Sequence, residues 1–160
     1  MKISMIIETR NPQSNGKLIA AELQRQGHEV QTLSLWDSVQ SILEQINNFL
    51  PQVVIGTHTH ACLSAKDTNL IKISQSKPLM VLWYCDGYSP RGPEAGQLFQ
   101  ETAGIYDLSL IAVQGLLQDF RAVNYSPRLA WTPQYFDNIF FRPTIPRTDE
   151  YDVCFLGNIY

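Results

Sequence analysis

Val39-Gln40-Ser41-Ile42-Leu43-Glu44-Gln45-Ile46-Asn47-Asn48-Phe49-Leu50-Pro51-Gln52-Val53-Val54-Ile55-Gly56 decides the fold class, because its hydrophobic period changes once inside it. Val39, Ile42, Leu43, Ile46, Phe49 and Leu50 recur at three- and four-residue steps and build one apolar stripe along a helix. Asp37 or Ser38 stands where a side-chain oxygen accepts from the free N–H groups of the first turn. Pro51 stops the helix. Residues 53–56 then form a short apolar run without polar interruption, the pattern of a buried strand. A helix delivered straight into a buried strand is one half of a β-α-β unit.

The same alternation runs outward in both directions. Toward the N-terminus, residues 2–7 read as an isoleucine-rich strand and 17–26 as a helix, with Ile19 and Leu23 one turn apart. Gly27 ends that helix, and 29–35 form a second strand. Toward the C-terminus, Ser64 with Asp67 has the spacing of a capping box, and Leu70, Ile71 and Ile73 continue as a helix up to Pro78. Residues 79–85 are the longest apolar run and predict a central strand. Residues 86–93 are rich in Gly and Pro and read as a loop. Ala95, Leu98, Phe99 and Thr102 predict a helix, 108–113 a strand, 116–122 a helix and 129–131 a short strand. The whole predicts a Rossmann-like α/β three-layer sandwich with a parallel sheet of about six strands. Ligands of such sheets bind beyond the carboxyl ends of the strands, which singles out loops 8–16, 57–63, 86–93 and 114–115.

Composition narrows the function classes. The chain has 160 residues, 12 Lys+Arg and 15 Asp+Glu, a net charge of −3 that is a poor match to nucleic acid. With 44% hydrophobic and 17% charged residues it is an ordinary globular sequence, not a disordered one. The run 79–85 is far short of the ~20 residues a bilayer requires, and Glu8 and Arg10 interrupt the front too early for a secretory leader. Cys62, Cys85 and Cys154 form no C-x-x-C pair, which argues against structural zinc and a disulfide framework and makes the cytoplasm the expected location.

The end of the chain departs from a single-domain pattern. Pro143 and Pro146 lie in a stretch, 143–150, that reads as a linker. Tyr151-Asp152-Val153-Cys154-Phe155-Leu156-Gly157-Asn158 then looks like a new strand entering a Gly-containing turn. The expected organisation is a domain over 1–142, a linker over 143–150, and the first strand of a second, truncated or missing domain over 151–160.

Several pieces together resemble the N-terminal domain of a GT-B glycosyltransferase. They are a first strand, Asn15-Gly16-Lys17-Leu18, a helix, and the turn Gln26-Gly27-His28-Glu29-Val30 into the second strand. Pro51-Gln52-Val53-Val54-Ile55 looks like the family's third strand, leading to Thr57-His58-Thr59-His60. In Thr132-Pro133-Gln134-Tyr135-Phe136-Asp137-Asn138-Ile139-Phe140-Phe141-Arg142-Pro143, the spacing of Pro133, Asp137, Phe141 and Pro143 matches the domain-closing segment before the hinge. Among such enzymes the chain is most similar to the spore-maturation-protein type of family 1. It departs from the pattern in keeping one glycine, Gly16, in the first loop, in carrying Tyr135 where glycine is common, and in ending its fourth strand Cys85-Asp86 rather than His-Asp.

The resemblance implies the acceptor-binding half of a nucleotide-sugar-dependent transferase, catalytically incomplete without a donor-binding half. Its partners are then a sugar acceptor, a nucleotide-sugar donor held only by the second domain, and a further copy of the chain if the domain interface lies open. No metal or other cofactor is implied. Asp86, after the longest apolar strand, is the first candidate for acceptor-side base; the plain alternative is an Asp that bonds its own turn at Gly87. His58 and His60 are candidate acceptor contacts or bases, against solvent-exposed loop histidines. Gly16 and Asn15 are candidate ligand-binding groups at a helix start, against an ordinary turn glycine and its neighbour. Arg91 is a candidate anion contact, against an exposed surface arginine. Two other classes stand beside the transferase: a non-enzymatic Rossmann-like interaction module, and a flavodoxin-like or receiver-like small domain. The receiver's acidic pair is reduced to Glu8, and the flavodoxin phosphate loop is broken by Arg10 and Pro12.

Overall fold

Burial on both faces makes the apolar runs 2–7 and 79–84 inner strands of one sheet, while the edge runs 29–34 and 129–131 stay more open. In a computed structural model, which describes residues 1–11, 14–57, 63–84, 101–102, 105–122 and 128–132, six strands are present: β1 (Lys2–Ile7), β2 (Glu29–Ser34), β3 (Val53–Thr57), β4 (Leu79–Tyr84), β5 (Leu108–Ile111) and β6 (Leu129–Trp131). They pair in the order β2-β1-β3-β4-β5-β6, and every neighbouring pair is parallel. Helices α1 (Asn15–Arg25), α2 (Val39–Phe49), α3 (Ala65–Lys72) and α4 (Leu116–Ala122) accompany them.

Side-chain alternation along β1 divides the core into two. Ile3, Met5 and Ile7 pack with Ile19 and Ala20 of α1 on one face. Ile6 belongs to the larger cluster on the other face, with Ile42 and Ile46 of α2, Ile71 of α3 and Phe120 of α4. Tyr84 meets Phe120 edge-on, ring centroids 5.4 Å apart. The result is the expected three-layer α/β sandwich. Its strand order is the 2-1-3-4-5 type of doubly wound sheet, not the 3-2-1-4-5-6 type, so the chain reverses direction between β1 and β3.

Local signals fix the element ends. Ser38, not Asp37, caps α2, its Oγ accepting from the Ser41 N–H at 3.2 Å. Ser64 does the same for α3 with the Asp67 N–H at 3.1 Å, and its hydroxyl donates to Asp67 Oδ2 at 2.7 Å. Gly27 at φ 84° closes α1: its N–H reaches the Gln24 carbonyl, and the His28 N–H reaches Leu23. Several boundaries differ from expectation: β2 ends at Ser34 rather than at 35, and β5 at Ile111 rather than at 113. α1 starts at Asn15, ahead of Lys17, because the Ser14 carbonyl already accepts from the Lys17 and Leu18 N–H groups. Ile73 lies just past α3 and is 61% exposed, because the chain turns there toward Lys77, which has φ 45°.

The amino ends of β4 and β5 are clamped to α3. Lys72 Nζ donates to the Ile105 carbonyl at 2.6 Å and to Asp107 Oδ1 at 3.2 Å, while Asp107 Oδ2 accepts from the Met80 N–H at 2.9 Å. Among the described residues no helix is long and apolar enough to cross a membrane.

Candidate functional site

The reversal between β1 and β3 makes the carboxyl ends of these strands the place to build a site. The chain leaves β1 through Glu8, Thr9, Arg10 and Asn11 and re-enters at Ser14. Three bonds fold this loop back toward α1: Ser14 N to the Asn11 carbonyl at 3.2 Å, Ser14 Oγ to the Glu8 carbonyl at 2.8 Å, and Lys17 Nζ to the Thr9 carbonyl at 2.8 Å. Ser14 has the extended backbone of an N-cap, but its hydroxyl is spent on Glu8 and makes no cap bond.

Gly16 is buried at a close approach of α1 to the sheet. A Cβ there would stand 2.5 Å from Ile7 Cγ2, 2.7 Å from Ile7 Cβ and 3.3 Å from Thr57 Oγ1. The glycine therefore sets how closely the start of α1 approaches β1 and β3. Thr57, the last residue of β3, is 2% exposed and its hydroxyl donates to the Ile6 carbonyl at 3.5 Å.

A second group of side chains crosses from β1 to the end of β2. The Trp36 indole N–H donates to both Glu8 oxygens, at 2.9 and 2.8 Å. Glu8 Oε1 also accepts from the Arg10 backbone N–H at 2.6 Å. The Arg10 guanidinium carbon sits 4.1 Å from the centroid of the Trp36 ring. Ser34 Oγ accepts from the Trp36 N–H at 3.2 Å and shares a 2.7 Å hydrogen bond with Thr9 Oγ1. The indole bond to Glu8, helped by backbone N–H groups and the Arg10 charge, holds the Glu8 carboxyl below its ordinary value against some desolvation. The ring itself stays 49% exposed.

Of the residues singled out from sequence, Asn15 and Gly16 form the first turn of α1, beside Ile7 and Thr57. His58 and His60 follow Thr57 in the chain, and Asp86 and Arg91 follow β4; all four lie outside the described residues, as do the linker and tail 133–160 and the three cysteines. Sequence reasoning passed over Glu8, Arg10 and Trp36 as a group. The signal was available: each closely follows the end of a strand, where sheets of this class keep their ligands. Among the described residues no three His, Cys, Asp or Glu side chains gather as a metal site. A groove of about 630 Å³ lies at the opposite end of the sheet, lined by Lys72, Ile73, Lys77, Leu79 and Asp107. It is open and shallow, and its Lys72 and Asp107 are already committed to the clamp, so the carboxyl-end loops are the better site. No protein-family model matches the chain, and no curated protein matches it.

Proposed function

We propose that the chain is the acceptor-binding domain of a nucleotide-sugar-dependent glycosyltransferase of the GT-B type. The observation that carries this reading is the switch point between β1 and β3, in a sheet where the carboxyl ends of β1, β3 and β4 stand side by side. Asn15 and Gly16 open α1 after β1, and His58, His60, Asp86 and Arg91 follow β3 and β4 in the sequence. The order of motifs along the sequence, through Pro133 to Pro143 and into 151–158, adds the transferase character. In this reading Asp86 or His58 takes the proton of an acceptor hydroxyl, and a donor-binding half supplies the activated sugar. A cytoplasmic location accords with the cysteine pattern.

A second reading is a doubly wound ligand-binding module without transfer chemistry. The 2-1-3-4-5 strand order favours it, because single-domain flavodoxin-like proteins share that order. The two readings separate in one assay. The product of the complete reading frame is incubated with UDP-, GDP- and ADP-sugars and a panel of saccharide acceptors, and nucleoside diphosphate release is followed. Release that needs an acceptor and falls in Asp86→Asn and His58→Ala supports the transferase. Ligand binding with no release under any pairing supports the module.

A further inference from the structure

Arg10 is exposed, yet it is held. Its guanidinium lies against the Trp36 ring, and that ring is fixed by two hydrogen bonds to Glu8. Glu8 is the natural salt-bridge partner for Arg10, but its oxygens are taken by the indole and by backbone N–H groups. Among the described residues the guanidinium makes no hydrogen bond and no ion pair. Lys17 of α1 adds a second positive charge beside the same loop while donating to the Thr9 carbonyl. The arginine is stacked on the ring through its face and keeps its N–H edge open to solvent. Its planar N–H fork matches an oxyanion bidentately, a geometry lysine cannot offer.

We propose that Arg10, positioned by Trp36 and Glu8, binds a carboxylate or phosphate group on the acceptor, so that the ligand of this edge is an anionic saccharide. The inference rests on the acceptor-side reading, but the binding event does not depend on transfer. The test follows the Trp36 indole N–H resonance, assigned with Trp36→Phe, during titration with inorganic phosphate, glucuronate and neutral glucose. Saturable movement with phosphate or glucuronate, and none with glucose, is expected. Whichever anion binds more tightly identifies the group recognised. Arg10→Gln should weaken that binding about tenfold or more, as loss of a charge-assisted bond implies. Arg10→Lys should restore little of it. Both substitutions sit at an exposed position, and the remaining indole resonances report whether the fold is kept. Equal response to glucose, no response to either anion, or unchanged binding in Arg10→Gln would overturn the proposal. Anion binding without transfer retires the transferase and keeps the site; transfer to neutral acceptors that is indifferent to Arg10→Gln does the reverse.

Discussion

At the scale of single residues, Gly16 shows how a motif position can have a packing reason before it has a ligand. Ile7 is fully buried in β1, so the 2.5 Å approach to its Cγ2 cannot be relieved by a flexible side-chain end. Gly16→Ala should therefore cost about 1–3 kcal/mol, the usual range for overpacking, read as a lower urea midpoint with an unchanged m-value. A midpoint equal to or above the parent's would mean that α1 moves freely on the sheet. Glu8 gives a pH prediction. Its folded pKa lies below the ordinary 4.5, chiefly because the Trp36 indole donates to the ionised form. Whatever it contributes to stability is complete above that ordinary value and is lost as pH falls through the lowered folded value. The Trp36 indole resonance should titrate with a midpoint under 4.5, and the step should vanish in Glu8→Gln. A midpoint at or above 4.5 would show that the indole bond does not favour the carboxylate.

Elements were the most legible level, for physical reasons that differ from one to the next. The stripe from Val39 to Phe49 and its stop at Pro51 are set by local chemistry, and α2 has the bounds that chemistry dictates. Between Asp37 and Ser38 the sequence leaves the cap open, since either side chain accepts; the geometry selects Ser38. Ser38→Ala should cost about 1 kcal/mol, and Asp37→Ala close to nothing, in parallel denaturation curves. The clamp at the other end of the sheet was not legible, because Lys72 and Asp107 are far apart in sequence and only the pairing of β4 with β5 joins them to Met80. Most of its value lies in the Met80 N–H bond, since an ion pair this accessible contributes little. Asp107→Ala should thus destabilise by about 1–3 kcal/mol, while Lys72→Met should cost distinctly less. Equal losses would assign the effect to the ion pair instead.

At the scale of the whole molecule, alternation of strand and helix predicts the three-layer sandwich but not its winding. The side of β1 on which β3 lies depends on which sheet face α2 covers. That is a tertiary choice, made by Ile42 and Ile46 joining the cluster opposite α1. The winding matters for function because it brings the ends of β1 and β3 side by side. The Glu8–Trp36–Arg10 group was hidden for the same reason: it needs β2 beside β1 in the register that pairs Ile7 with Ser34. The larger cluster carries the fold, and Phe120→Ala should remove about 3–5 kcal/mol by opening a cavity under Tyr84. The central claim is that ligands of this chain bind at the carboxyl edge around the switch point. Amide chemical-shift mapping of the isotope-labelled chain, titrated with neutral and anionic mono- and disaccharides, tests it most directly. The account predicts movement at Arg10, Gly16, Trp36 and Thr57, with Lys72 and Lys77 unmoved. Movement confined to the groove at Lys72 and Lys77, or none with any saccharide, would contradict it.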